Sequence, residues 1–149
     1  MQIRILDAEF DPWSEVSRYE NNMPKGKAGA TCAFVGTMRD FNEEDSVSAM
    51  KLEHYAGMTE NHLAEICERT IADCALDDVL VIHRIGEIRP GDSIVLVAVW
   101  SAHRAEAIEG CETIVEYLKS QAPFWKKESL SDGTSRWVER NTAGRNNPR

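Results

Sequence analysis

Three lysines stand close together in this chain: Lys119, then Lys126 and Lys127 inside Ala122-Pro123-Phe124-Trp125-Lys126-Lys127-Glu128. Two large aromatics and a proline share that stretch. A lysine held against apolar surface gives up its proton more easily, because burial disfavours the charged form. Such an amine can act as a nucleophile or as a general acid or base. The competing reading is a solvated face beyond a helix end, which is where most lysines sit. The cluster is not the by-product of a basic protein, since the net charge is −8.

Two further groups could bind an anion. Ser101-Ala102-His103-Arg104 follows a strand-like run and opens a helical one. A strand-to-helix junction offers free backbone N–H groups, which an adjacent His and Arg would reinforce. Alternatively, Ser101 only caps the helix and His103 lies at the surface. Arg39 likewise follows a strand, after Gly36-Thr37-Met38, where glycine allows close approach of a ligand. Cys32, Cys67, Cys74 and Cys111 show neither a CxxC nor a zinc-like spacing, and none has a basic neighbour that would activate it. Cys32 and Cys111 read as small buried hydrophobes. His54 and His62 have no partner at metal spacing and His83 lies in a strand, so all three read as structural. No metal site and no cofactor is expected. Gly36 belongs to no GxGxxG or P-loop.

Several elements must position these residues. Asp11-Pro12 starts a helix, and residues 21–29 form a loop around Pro24, Gly26 and Gly29. Strands are expected over 31–38 and 47–55, with a polar loop over 39–46 between them. A helix spans 59–74. Strands over 79–88 and 93–100 are joined by the turn Arg89-Pro90-Gly91-Asp92. Residues 103–120 make the clearest helix, with Ala107, Ile108, Cys111, Ile114, Val115 and Leu118 as its apolar stripe. A last short strand is expected over 135–139, and the Gly/Asn/Pro/Arg-rich end from Ala143 should fray. Strands and helices mix without a regular βαβ count, which argues for an α+β class.

Helical phase adds a constraint. At 100° per residue, Arg104, Ile108, Val115 and Lys119 fall within about 60° of one another. Arg104 and Lys119 therefore stand in line with the apolar stripe, at its two ends. Either each snorkels past a helix end into water, or both line a pocket. Fifteen residues of helix span about 22 Å, too far for both to meet one small ligand within one chain. If both serve one site, a second copy of the chain supplies one of them.

Size and charge bound the function. A chain of 149 residues fits one domain with a sizeable core. From Lys119 to Arg149, seven basic residues face three acidic ones, a net of +4, so the first 118 residues carry −12. A basic end on an acidic body suits a local anionic ligand better than a long polyanion, and a general nucleic-acid coat or membrane-surface role is not expected. No signal peptide opens the chain and no apolar run approaches the ~20 residues of a membrane helix, which leaves the cytoplasm as the expected compartment.

The ordered blocks carry a resemblance. Phe34-Val35-Gly36-Thr37-Met38-Arg39, Leu52-Glu53-His54-Tyr55-Ala56-Gly57-Met58 and Val81-Ile82-His83-Arg84-Ile85-Gly86-Glu87 are followed by Pro90-Gly91-Asp92 and Ser101-Ala102-His103-Arg104. Tyr117-Leu118-Lys119, the 122–128 block and Arg136-Trp137-Val138-Glu139 complete the series. Together they resemble the large, catalytic subunit family of molybdopterin synthase. The resemblance implies an α/β hammerhead-like fold with an additional antiparallel β-sheet, as one catalytic domain over 1–140 with a tail over 141–149. It implies a homodimer that binds two copies of a small ubiquitin-like subunit, a heterotetramer. The small subunit ends in Gly-Gly, and its C-terminal thiocarboxylate supplies sulfur to cyclic pyranopterin monophosphate, forming the dithiolene of molybdopterin. Sulfur arriving on a partner agrees with four chemically quiet cysteines.

Carried onto this sequence, the resemblance makes Lys119 and Lys126 the catalytic residues. Lys119 would contact the thiocarboxylate, form a transient acyl link, or stabilise an oxyanion. Lys126 would act as general acid or base. Thr37, Met38, Arg39, His103, Arg104, Lys127 and Glu128 would bind substrate, with Arg39, His103 and Arg104 on the phosphate. Phe34, Phe124 and Arg140 are candidate pocket lining. Two rivals stand beside this: a module that docks a ubiquitin-like partner without chemistry, and a nucleotide- or RNA-binding protein using the basic end, against which the net −8 argues.

Overall fold

The computed structural model describes residues 1–42 and 44–138. Its elements run β1 (Gln2–Leu6), α1 (Pro12–Asn21), β2 (Ala30–Thr37), β3 (Phe41–Asn42), β4 (Asp45–His54), α2 (Met58–Asp73), β5 (Leu76–Arg84), β6 (Gly86–Ile88), β7 (Ser93–Ser101), α3 (Arg104–Ser120), β8 (Phe124–Leu130) and β9 (Ser135–Trp137). The class is α+β, as expected. Arg140, the one candidate site residue beyond these bounds, lies outside the described residues.

Two sheets organise the chain. The first has strand order β1-β5-β7-β2, with β1 parallel to β5 and the remaining pairs antiparallel. Its central strands β5 and β7 carry unbroken apolar runs, Val79–Ile82 and Ile94–Trp100, because both faces are covered there. Val79, Val81, Val97 and Val99 face α2 and α3, packing on Leu63, Ile66, Cys67, Ile114 and Leu118. Leu80, Ile82, Leu96, Ala98 and Trp100 face the other way, under Val16 and Tyr19 of α1. The second sheet is antiparallel, ordered β3-β4-β8-β9 with β6 also on β4. Its inner face carries Val47, Met50, Leu52 and Ile88.

Local chemistry explains the element ends. Asp11 Oδ1 accepts from the N–H groups of Trp13 and Ser14 at 3.0 and 3.2 Å, and Pro12 fits the first turn of α1. Glu60 Oε2 accepts the Gly57 N–H at 2.7 Å at the start of α2. At Gly110 of α3 an added Cβ would stand 2.8 Å from Leu76 Cδ1, so glycine lets the helix lie this close to β5 without displacing that side chain.

The structure changes four sequence expectations. The run 79–88 is two strands, broken after Arg84 where Gly86 turns the chain at φ +80°. The expected loop 39–46 holds β3 and the start of β4. Ile108, placed on the apolar stripe of α3, is 57% exposed, because the stripe that meets the sheet runs through Ala107, Gly110, Cys111, Ile114, Val115 and Leu118. The lysine stretch is strand β8 rather than a face beyond a helix end. β1 is an additional strand.

Candidate active site

Strand β8 sorts its own side chains. In the antiparallel register with β4, Lys126 stands opposite Leu52 and Glu128 opposite Met50, both buried. Residues directly opposite across a sheet share a face. Phe124, Lys126 and Glu128 therefore point inward, while Trp125 and Lys127 point outward beside Glu53 and Lys51. Lys127 Nζ lies 5.7 Å from the Trp137 ring centroid on that outer face, and Lys51 pairs with Glu53 at 3.2 Å. These contacts offset the repulsion of two lysines set directly across from each other.

Inward, the two sheets and the C-terminal half of α3 enclose a cavity of about 220 Å³. Phe34, Thr37, Met38, Arg39, Lys119, Phe124, Lys126 and Glu128 all line it. Eight of the expected site residues thus meet in one place, drawn from β2 and the segment after it, α3 and β8. Apart from Asn42 and His83, the remainder of the wall is apolar, including Val47, Met50, Leu52, Val115 and Leu118. Gly36 also lines it; a Cβ there would come within 2.7 Å of Val95 Cγ1. That close approach, next to a register shift between Gly36 and Thr37, lets β2 deliver Met38 and Arg39 to the rim.

His103, Arg104 and Lys127 do not line the cavity. His103 caps the N-terminal end of α3 and Arg104 opens it, whereas Lys119 occupies its last turn. Seventeen helical residues separate the two ends by roughly 25 Å. Lys127 is excluded by strand alternation.

Electrostatics distinguishes the inward groups. Burial pushes the Lys126 amine below the ordinary lysine value, the positive charge of Lys119 pushes it further, and Glu128 opposes both. Glu128 is itself buried and anchored at both oxygens. Oε1 accepts from Asn42 Nδ2 at 2.7 Å and Oε2 from Arg136 Nε at 3.1 Å. Arg136 also donates to Asp45 Oδ2 at 2.8 Å and to the Asn42 carbonyl at 3.3 Å, tying β9 to the β3–β4 hairpin. Arg39 stacks over Phe41, 4.8 Å from the ring centroid. The start of β8 is tethered by Thr59 Oγ1, which donates to the Pro123 carbonyl at 3.3 Å.

One cavity residue was assigned a purely structural place by its sequence context. His83 lines the same wall, its ring stacked on Phe124 at 3.9 Å and 13°. Its parity with Val79 and Val81 on β5 was the available signal: position 83 faces the same side, at the strand end where the core gives way to the cavity. Burial lowers its pKa to about 4, so the ring is neutral. The cysteines are quiet: Cys67, Cys74 and Cys111 are buried, and burial raises the Cys67 and Cys111 thiols to about 12. Among the described residues no group of three His, Cys, Asp or Glu is placed to hold a metal ion, and no helix is long and apolar enough to cross a membrane.

Comparison with known proteins decides the family. The profile of the family described as "MoaE protein" matches residues 7–121. A Ralstonia nicotianae protein named molybdopterin synthase catalytic subunit is 50% identical over 137 residues, covering 92% of this chain and 76% of its own. The chain belongs to the MoaE family. An Escherichia coli (strain K12) MoaE relative of the same name is 48% identical over 128 residues, covering 86% of this chain and 85% of its own. The solved structure of a molybdopterin biosynthesis MoaE protein from Burkholderia ambifaria MC40-6 superposes with a TM-score of 0.78 at 43% identity, covering 96% of this chain and 92% of that one.

Proposed function

We propose that this chain is the catalytic subunit of a molybdopterin synthase. It transfers sulfur from the C-terminal thiocarboxylate of a small ubiquitin-like subunit to cyclic pyranopterin monophosphate. The observation that carries the reading is the convergence of Lys119 and Lys126 on one largely apolar slot. An extended Gly-Gly tail needs such a slot: it has no side chains to accommodate, and its thiocarboxylate ends among cations.

The chemistry needs two things from the protein. At each of two pterin side-chain carbons the thiocarboxylate sulfur replaces an oxygen substituent, which leaves protonated, giving a thioester; water then breaks the acyl–sulfur bond, leaving sulfur on the pterin and a carboxylate on the tail. The tetrahedral oxyanion of the second step is stabilised by the Lys119 charge. Lys126, with its lowered pKa, moves the protons. Arg39 at the rim binds the substrate phosphate. Thr37, Met38 and Phe34 line the route, and Glu128 keeps the Lys126 amine from losing its proton too readily. Lys127 acts through its charge alone, from the outer face of the sheet.

His103 and Arg104 join the phosphate site from a second copy of the chain, across a two-fold interface. The α3 length that separates them from Lys119 supports this. The homodimer with one small subunit per copy is then the working assembly. The compartment we infer is the cytoplasm, in keeping with four free cysteines.

The direct test mixes this chain with a thiocarboxylated small subunit and the cyclic pterin. Dithiolene product is expected. Co-purification of the two chains without product overturns the catalytic assignment and leaves a docking module.

A further inference from the structure

A buried histidine that the proposed chemistry does not use also lines the slot. His83 is 7% exposed, near the end of β5. Its Nδ1 lies 2.8 Å from the Arg84 carbonyl oxygen. A carbonyl only accepts, so Nδ1 must carry the ring proton. The neutral ring then carries its lone pair on Nε2, its acceptor atom. The stack on Phe124 fixes the plane of the imidazole, and the Phe124 ring stands 6.5 Å from that of His54.

The other polar groups of the inner wall are differently placed. Both oxygens of Glu128 are taken by Asn42 and Arg136. Lys119 and Lys126 are cationic donors and cannot accept a hydrogen bond while protonated. Thr37 and Asn42, whose Nδ2 donates to Glu128, are the other uncharged polar side chains of the wall, and, Arg39 at the rim aside, the rest of it is apolar. A peptide tail that enters such a slot strips water from its amide N–H groups, and a buried N–H without an acceptor is strongly disfavoured.

We propose that His83 Nε2 is the acceptor for a main-chain N–H of the tail's terminal Gly-Gly segment, a binding residue that sets how deep the tail seats. This rests on the proposed function, since it takes the ligand to be that tail. The assignment gives the slot a polar reason to prefer an extended peptide over an apolar ligand of equal width. Proline or an N-methylated residue at the matching position carries no N–H and is discriminated against by the same atom.

The test uses the full chain and a semisynthetic small subunit in its unreactive carboxylate form. Its two terminal glycine amides are native, or one at a time replaced by an ester, which deletes the N–H. Calorimetric affinity is compared for the wild-type chain and His83→Phe, which keeps the ring stack and deletes the acceptor. His83→Phe weakens the native tail about ten-fold, and loses less than two-fold on one of the two ester tails. Equal losses on native and ester tails, or no loss on the native tail, overturn the assignment. If His83→Phe does not fold, the wild-type chain alone decides: an ester at one glycine must weaken binding about ten-fold, and indifference to both esters overturns the proposal. A wild-type chain that fails to bind the native tail removes the proposed function itself, whereas one that binds and transfers sulfur with additive losses removes only the role of His83.

Discussion

At the scale of the residue, two neighbouring lysines of one strand have unlike environments. Lys126 faces hydrocarbon and another cation; Lys127 faces an indole and solvent. Lys126→Ala should lower sulfur transfer by about 10²–10⁴-fold while partner affinity stays within two-fold, the range of one general acid or base. Lys127→Ala, measured alongside, should cost far less. Because the Glu128 carboxylate raises the Lys126 pKa, Glu128→Gln should move the alkaline inflection of the transfer rate to lower pH; an unmoved or raised inflection would contradict that coupling. Arg39→Ala removes a charge-assisted bond to phosphate and should weaken pterin binding by roughly ten- to a hundred-fold in equilibrium titration. Legibility at this scale was uneven. Residue types and spacing drew attention to the lysines and to Arg39. They could not separate Lys126 from Lys127, which takes the register with β4, nor find His83, whose role depends on what its strand faces at one end.

At the scale of the element, the slot is a seam between two sheets, closed by Arg136. That guanidinium joins Glu128, Asp45 and the Asn42 carbonyl, so β8, β9 and the β3–β4 hairpin are fixed together. Arg136→Ala should destabilise the fold by roughly 1–3 kcal/mol in denaturant unfolding, because Glu128 stays buried with one oxygen unsatisfied. Gly36→Ala drives a methyl against Val95 in a packed wall and should cost about 1–3 kcal/mol, with a further loss of tail affinity as the slot narrows. Elements with an ordinary apolar period were legible in the sequence: α2, α3, β2, β4 and β7 lie close to where periodicity put them. Strand β8 was hidden because its inward positions carry Lys126 and Glu128, which inverts the pattern that marks a strand. The β5–β6 break was hidden because an uninterrupted apolar run does not reveal where a glycine turns the chain. Ile108 misled for the opposite reason, an apolar residue at helical spacing on an exposed face.

At the scale of the whole molecule, the core and the slot share one titrating group. Burial holds His83 at about 4 against an ordinary 6.5. Between these values the unfolded chain binds a proton that the folded chain excludes, so stability falls as pH drops through that window and levels off below about 4. The shift corresponds to roughly 3 kcal/mol. Thermal unfolding from pH 7 to 4 should follow this slope, and His83→Phe should flatten it. The proposed two-fold sharing of the site is also tested on the assembly. A Lys119→Ala chain and an Arg104→Ala chain, each inactive, should recover about a quarter of wild-type activity when remixed, since half the dimers are mixed and each holds one intact site. No recovery would place both residues in service of the same protomer's site. The slot's wall also has an order of arrival. Asn42 and Glu128, which close it, are 86 residues apart, and Arg136 comes later still. Synthesis proceeds from the N-terminus. All four strands of the first sheet, with α1, α2 and α3, are made before the amine of Lys126 exists. A nascent chain can therefore complete most of its core before the far wall of the slot, and the lysine that moves the protons there, have been made.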